Sequence, residues 1–128
     1  MIILCEIASR TVVPTIRAMV AKDLSESYKM KQEDIASLLG ITQSAVSQYL
    51  NNIRGKTLNL NGVEEVSTVV KDISYFLTIG SSSKAVCQRC CEACRVIREK
   101  RLLCQQHERL DPNFDTTECD TCMPSSYI

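Results

Sequence analysis

The stretch that decides the fold covers residues 32–51 and reads QEDIASLLGITQSAVSQYLN. Its apolar residues recur at the three- and four-residue spacing of two short helices, which we predict over about 31–39 and 43–51. Gly40 suits the left-handed turn that ends the first helix, and Thr42 can cap the second through its hydroxyl oxygen. The stretch therefore predicts a helix-turn-helix. The predicted shared core consists of Ile35, Leu39, Ile41, Val46 and Tyr49.

The second of these helices has an uncharged polar outer face, because the helical period turns Val46, Tyr49 and Leu50 inward. Glutamine can pair with adenine through two hydrogen bonds in the major groove, and serine can bond base edges or phosphates. A merely solvated face would more often carry Glu and Lys, so we favour a base-reading surface over a plain helical hairpin. The predicted base contacts are Gln43, Ser44, Ser47 and Gln48; Gln32, Arg54 and Lys56 are phosphate candidates, and Thr42 and Asn51 complete the predicted DNA-binding set.

Helical patterns flank the motif on both sides. An amphipathic helix is predicted over 12–24, and it starts or restarts near Pro14 because proline is tolerated in a first helical turn. Residues 1–10 then form a separate turn or helix. A further apolar stripe over 63–79 packs on the first helix or, instead or as well, pairs with a second chain.

The charge balance gives little support to phosphate binding. The chain has 15 Lys and Arg against 15 Asp and Glu, a formal net charge of zero, whereas DNA-binding surfaces normally carry a basic excess. The apolar residues 1–8 are too few for a membrane span and lack the features of a secretory signal. We therefore expect a cytoplasmic protein without a membrane partner.

The cysteines divide the chain. Seven of the eight follow Gly80 and only Cys5 precedes it, and the link GSSS at 80–83 is of a flexible type. We predict a DNA-binding domain at 1–80, with a possible dimerisation helix at 63–79, and a cysteine-rich tail at 81–128. The tail is poor in large apolar residues, so a metal is expected to organise it. Cys5 is expected to be a buried, small apolar side chain.

Clustered cysteines in a reducing compartment bind metal more often than they form disulfides. Pairs at two-residue spacing, placed at tight turns, favour zinc, with up to two ions per chain. The dense run 87–94 leaves an iron–sulfur cluster as the alternative, and the only histidine is either a ligand or a solvated residue. The candidate ligands are Cys87, Cys90, Cys91, Cys94, Cys104, His107, Cys119 and Cys122. One hypothetical division puts Cys91, Cys94, Cys104 and His107 on one ion and Cys87, Cys90, Cys119 and Cys122 on another.

The motif resembles the Cro and phage-repressor type of helix-turn-helix, the XRE family, with Gln32 opening the second helix and Gln43 and Ser44 the third. PTIRAMVAKDL from Pro14, with the motif and the following Arg54-Gly55, is similar to short archaeal predicted transcriptional regulators whose DNA-binding part precedes a cysteine-containing tail. The resemblance implies an all-α fold, with a five-helix repressor-like domain followed by a small metal-stabilised segment. It also implies a cytosolic protein that binds double-stranded DNA as a homodimer.

Other functions have less support. The chain has a single histidine and no glycine-rich phosphate loop, so we predict no enzyme and no small-molecule substrate. A third interpretation is an interaction module that uses the tail to dock on the transcription machinery. A cluster in the tail would instead make the protein a redox- or metal-sensing regulator.

Overall fold

The computed structural model describes residues 2–117, 119 and 122, and in this part of the chain it contains helices and no strands. The all-α prediction is confirmed. The helices are α1 (Leu4–Arg10), α2 (Val12–Glu26), α3 (Gln32–Leu39), α4 (Gln43–Leu50), α5 (Glu64–Thr78), α6 (Ser83–Glu99) and α7 (Cys104–Leu110).

Thr11 separates α1 from α2, and Pro14 lies in the first turn of α2, where its missing N–H costs no helical hydrogen bond. The Thr11 hydroxyl donates to the carbonyl of Ile7 at 2.7 Å. The predicted restart beside Pro14 is therefore confirmed.

The turn between α3 and α4 has the predicted chemistry. Gly40 is left-handed, with φ 65°, and the Ile41 N–H donates to the carbonyl of Ala36 at 3.1 Å. The Gly40 N–H donates to the carbonyl of Ser37 at 3.4 Å, which completes a Schellman motif. The Thr42 hydroxyl then accepts from the Ala45 N–H at 3.1 Å and caps α4.

A single apolar core joins the helices: α2 contacts α1 and α3 to α6, and α5 packs against α2, α3 and α6. The apolar stripe of α5 is therefore covered within the chain, as the first alternative for that stripe predicted. Pairing of this helix with a second chain stays a prediction. The largest fully buried side chains are Ile7, Val20, Leu24, Ile35, Val46, Val66, Ile97 and Leu103.

The first element beyond Gly80 is the 17-residue helix α6, capped by the Ser82 hydroxyl, which accepts from the Ala85 N–H at 3.2 Å. It runs antiparallel to α5, and the Arg89 guanidinium on α6 pairs with Asp72 on α5. Ala93 and Ile97 are fully buried. The tail thus contributes to the same core, although the boundary between 80 and 81 stays a prediction.

Arg101, which lies between α6 and α7, holds the segment that follows α7. Its guanidinium donates to the carbonyl of Thr116 at 2.7 Å and to that of Cys119 at 2.6 Å. Among the helices that the structure describes, none is long and apolar enough to cross a bilayer.

Candidate nucleic-acid interface and cysteine cluster

The outer face of α4 starts with Gln43 and Ser44, which are exposed, and continues with Ser47 and Gln48, which are half-buried. The opposite face is anchored in the core. Val46 is fully buried and Tyr49 is 5 % exposed. The helix therefore presents amide and hydroxyl groups outward from a rigid inner face, which is the arrangement that base reading needs.

Three of the predicted contacts, Thr42, Ser47 and Asn51, already have local hydrogen bonds. The Asn51 amide donates to the carbonyl of Ser47 at 2.9 Å and to its hydroxyl at 3.3 Å. Thr42 accepts from the backbone as the cap of α4. These side chains shape the ends of the helix, which leaves Gln43, Ser44 and Gln48 as the members of the face for which no such bond is seen.

The chain reverses sharply after α4. Asn52 is left-handed, with φ 58°, and the Ile53 N–H donates to the carbonyl of Gln48 at 2.8 Å. Lys22 on α2 donates a hydrogen bond to the Asn52 side chain. This reversal directs the following loop back toward α2.

Gly55 lets that loop touch α2. Its φ is 72°, and a Cβ atom there would lie 2.6 Å from both the Ala18 Cβ and the Pro14 carbonyl oxygen. Only glycine avoids both the left-handed strain and the overlap. The exposed Arg54 and Lys56 are consequently held beside the recognition helix.

The loop and α2 form a groove of about 420 Å³ at the start of α4, lined by Thr42, Arg54 and Arg17 among others. Arg17 is exposed on α2 and stands outside the predicted DNA-binding set. The helical period of α2 places it outward, and the packing of α2 against α4, which the sequence does not indicate, puts it next to α4. Gln32 is half-buried in the first turn of α3. Two guanidinium groups beside the N-terminus of α4 are suited to phosphate binding.

A family model described as helix-turn-helix matches residues 22–60, from α2 to the loop beyond α4. No curated protein and no solved structure matches the chain significantly. The matched residues include the turn, the recognition helix and the loop that carries Arg54. They form a helix-turn-helix unit of the kind that DNA-binding transcriptional regulators carry, which supports the resemblance to the XRE type.

The cysteines of the run 87–94 lie on α6, so the tight-turn geometry predicted for them is wrong. The spacing of Cys87, Cys90, Cys91 and Cys94 fits one stripe of a helix, since residues three and four apart share a face. Cys90 and Cys94 are half-buried, whereas Cys87 and Cys91 are exposed at the edge of the stripe.

These four cysteines line one cavity, of about 540 Å³, together with Cys5 of α1. The remaining lining is largely apolar and comes mainly from α2, α3 and α5, with further residues of α1 and α6. Cys5 is exposed, so its expected role as a buried apolar side chain is wrong. The structure gives this group of five thiols a common location that the sequence does not indicate.

The other candidate ligands lie around α7. Burial raises the pKa of the Cys104 thiol, and the nearby Cys122 and Cys119 thiols raise it further, against the opposing effect of Arg101. His107 is 5 % exposed and stacks on Phe114 with ring centroids 3.7 Å apart. Its buried Nε2 has no hydrogen-bond partner among the described residues.

Neither half of the hypothetical division is brought together. Among residues 2–117, 119 and 122, no three or more His, Cys, Asp or Glu side chains converge in a geometry that could hold a metal ion. Burial also raises the pKa of the Cys90, Cys91 and Cys94 thiols. These three thiols are therefore protonated at neutral pH, and each would lose its proton on binding a metal.

Proposed function

We propose that this protein is a sequence-specific transcriptional regulator of the cytoplasm that binds double-stranded DNA as a homodimer and carries a metal centre on its cysteines. The observation that carries the DNA-binding part is the outward face of α4. There Gln43 and Ser44 stand exposed at the helix start, while Val46 and Tyr49 fix the opposite side in the core. No catalytic step belongs to the proposal.

The small number of cationic side chains beside α4 supports DNA binding with few phosphate contacts. Arg17 and Arg54 border the groove at the start of the helix, but the whole chain has a formal net charge of zero. One recognition helix with few cations supplies modest affinity, because counterion release scales with the phosphates contacted. Two helices on two half-sites would supply the rest, which is the reason for proposing a dimer.

The test uses a duplex selected by the wild-type protein from a random pool, with a scrambled duplex as competitor at fixed salt. Replacing Gln43 and Gln48 with alanine should lower the ratio of the two affinities by about tenfold or more for each glutamine that pairs with a base. Gln88→Ala, an exposed glutamine on α6, is the matched control and should leave the ratio unchanged. An unchanged ratio in the double variant contradicts the assignment of this face.

The number of chains bound per duplex tests the proposed dimer separately. Light scattering on the protein with and without the selected duplex should give two chains per duplex, and the duplex should contain two related half-sites about one helical turn apart. One chain bound to a site without internal symmetry would contradict the dimer, and it would leave the role of α4 intact.

The metal part of the proposal is supported by the chemistry of the donors. Soft thiolates select zinc, copper(I) or iron–sulfur clusters rather than hard cations. Zinc is the choice that the Cys-x2-Cys spacing predicts, and an iron–sulfur cluster is the alternative. Metal and sulfide analysis of anaerobically purified protein decides between them, and a chain that retains neither contradicts this part.

A further inference from the structure

The cavity between α1 and α6 contains more sulfur than any other place in the described chain. Cys5 reaches it from α1, and four cysteines of α6 line its other side. We infer that this cavity binds a polynuclear iron–sulfur cluster, with Cys5, Cys87, Cys91 and Cys94 as its ligands. The inference rests on the proposed metal-binding function and names the site, the ligands and the kind of metal centre.

The thiols of this set border one cavity from two helices. Cys5 borders the same cavity as Cys87, Cys91 and Cys94, and its thiol helps to raise the pKa of both Cys91 and Cys94, on top of the larger effect of burial. Cys5 therefore faces the middle of the α6 stripe. Two helices that are distant in sequence supply the sulfur atoms, and the walls between them are largely apolar.

The length of the stripe favours a cluster over a single ion. Cys87 and Cys94 are seven residues apart on α6, which corresponds to a rise of about 10.5 Å along a helix. Two sulfurs on one zinc ion can be at most about 4.6 Å apart, twice the usual Zn–S bond length. A single zinc ion is less suited to cysteines two helical turns apart than a cluster, which places several metal and sulfide atoms between its ligands.

The volume of the cavity also favours a cluster over a single metal ion. At about 540 Å³ it is much larger than one ion requires. On binding, each cysteine sulfur bonds to iron and its proton passes to solvent. Ferrous and ferric ions together with inorganic sulfide supply the rest of the cluster, so its assembly needs no further oxidant.

Arg17 connects this cavity with the DNA-binding surface. It lines the thiol cavity and also the groove beside Thr42 and Arg54, and its charge lowers the pKa of Cys90 against the larger effect of burial. A cluster bound by four thiolates carries negative charge within reach of this guanidinium. Arg17 is thus the side chain through which cluster binding would affect DNA binding.

The experiment reconstitutes the full-length chain anaerobically with ferrous and ferric ions and sulfide. Iron, sulfide and zinc per chain are measured together with the visible absorption spectrum. Cys5→Ser should reduce the bound iron and sulfide severalfold, because it removes the only ligand from α1. Arg10→Ala changes an exposed residue of the same helix and should load like the wild type; circular dichroism checks that both variants remain folded.

The variant Cys104→Ser distinguishes the cavity site from the ligand division predicted from the sequence. If Cys104 and His107 are ligands, the variant should lose metal. If the cavity holds the cluster, the variant should bind as much iron and sulfide as the wild type. A Cys5→Ser variant that loads like the wild type overturns the inference, and the metal-binding proposal survives. A colourless wild type with stoichiometric zinc also overturns it. A wild type that retains no metal of any kind overturns both, while the test of Gln43 and Gln48 on DNA is unaffected.

Discussion

Ile97 tests whether α6 belongs to the core of the DNA-binding domain. Its side chain is fully buried on the helix that pairs with α5. Ile97→Ala removes three carbon atoms, each worth about 0.8 kcal/mol of transfer free energy. The cavity left behind adds to this sum, so the free energy of unfolding should fall by about 3 kcal/mol.

Urea denaturation followed by circular dichroism measures this loss. With a slope of about 2 kcal/mol per molar urea for a domain of this size, the midpoint should fall by about 1.5 M. Ile79→Ala is the matched control, because Ile79 is 57 % exposed and the same truncation there should cost no more than about 0.5 kcal/mol.

The outcome separates two descriptions of the tail. If α6 packs through apolar contacts, the loss at Ile97 persists in the presence of a chelator. If the two isoleucine variants unfold at the same urea concentration, Ile97 does not contribute to the cooperative core, and the reasoning is refuted. A loss that occurs only in metal-loaded protein would show that the metal organises the packing of α6.

Two further predictions concern the loop after α4 and the part of α2 beside it. Gly55→Ala should cost about 1–3 kcal/mol, because the new Cβ meets Ala18 and the Pro14 carbonyl oxygen at 2.6 Å. Gly80→Ala has nearly the same φ and nothing within 4 Å, so thermal unfolding should rank Gly55→Ala as clearly the less stable, and equal stabilities would contradict the close contact. Arg17→Gln and Arg54→Gln should each weaken binding to selected and scrambled duplexes alike and reduce the slope of log affinity against log salt by about one. A titration in which either variant keeps the full slope would exclude that residue from phosphate contact.

The helix-turn-helix could be predicted from the sequence because its determinants are local. The periodic apolar residues define α3 and α4, and the positions of Gly40 and Thr42 determine how one ends and the other starts. A left-handed glycine and a capping hydroxyl act over four or five residues. The outward face of α4 follows from the same period.

The helix α6 could not be recognised in the same way. Its inward face uses small residues, with Ala93 fully buried and Cys90 and Cys94 half-buried. A count of large apolar residues therefore underestimates its share of the core. The cysteine spacing suits both a metal knuckle and one face of a helix, and tertiary packing against α5 favours the helix.

The sequence by itself determined the helix-turn-helix and its uncharged polar face, since these depend on neighbours within a few residues. Only the tertiary structure decided that Cys5 joins the α6 cysteines and that Arg17 stands beside both the thiol cavity and the groove at α4. Each of these contacts joins residues that are far apart in the chain. No local pattern encodes such a contact, because it arises from how the helices pack.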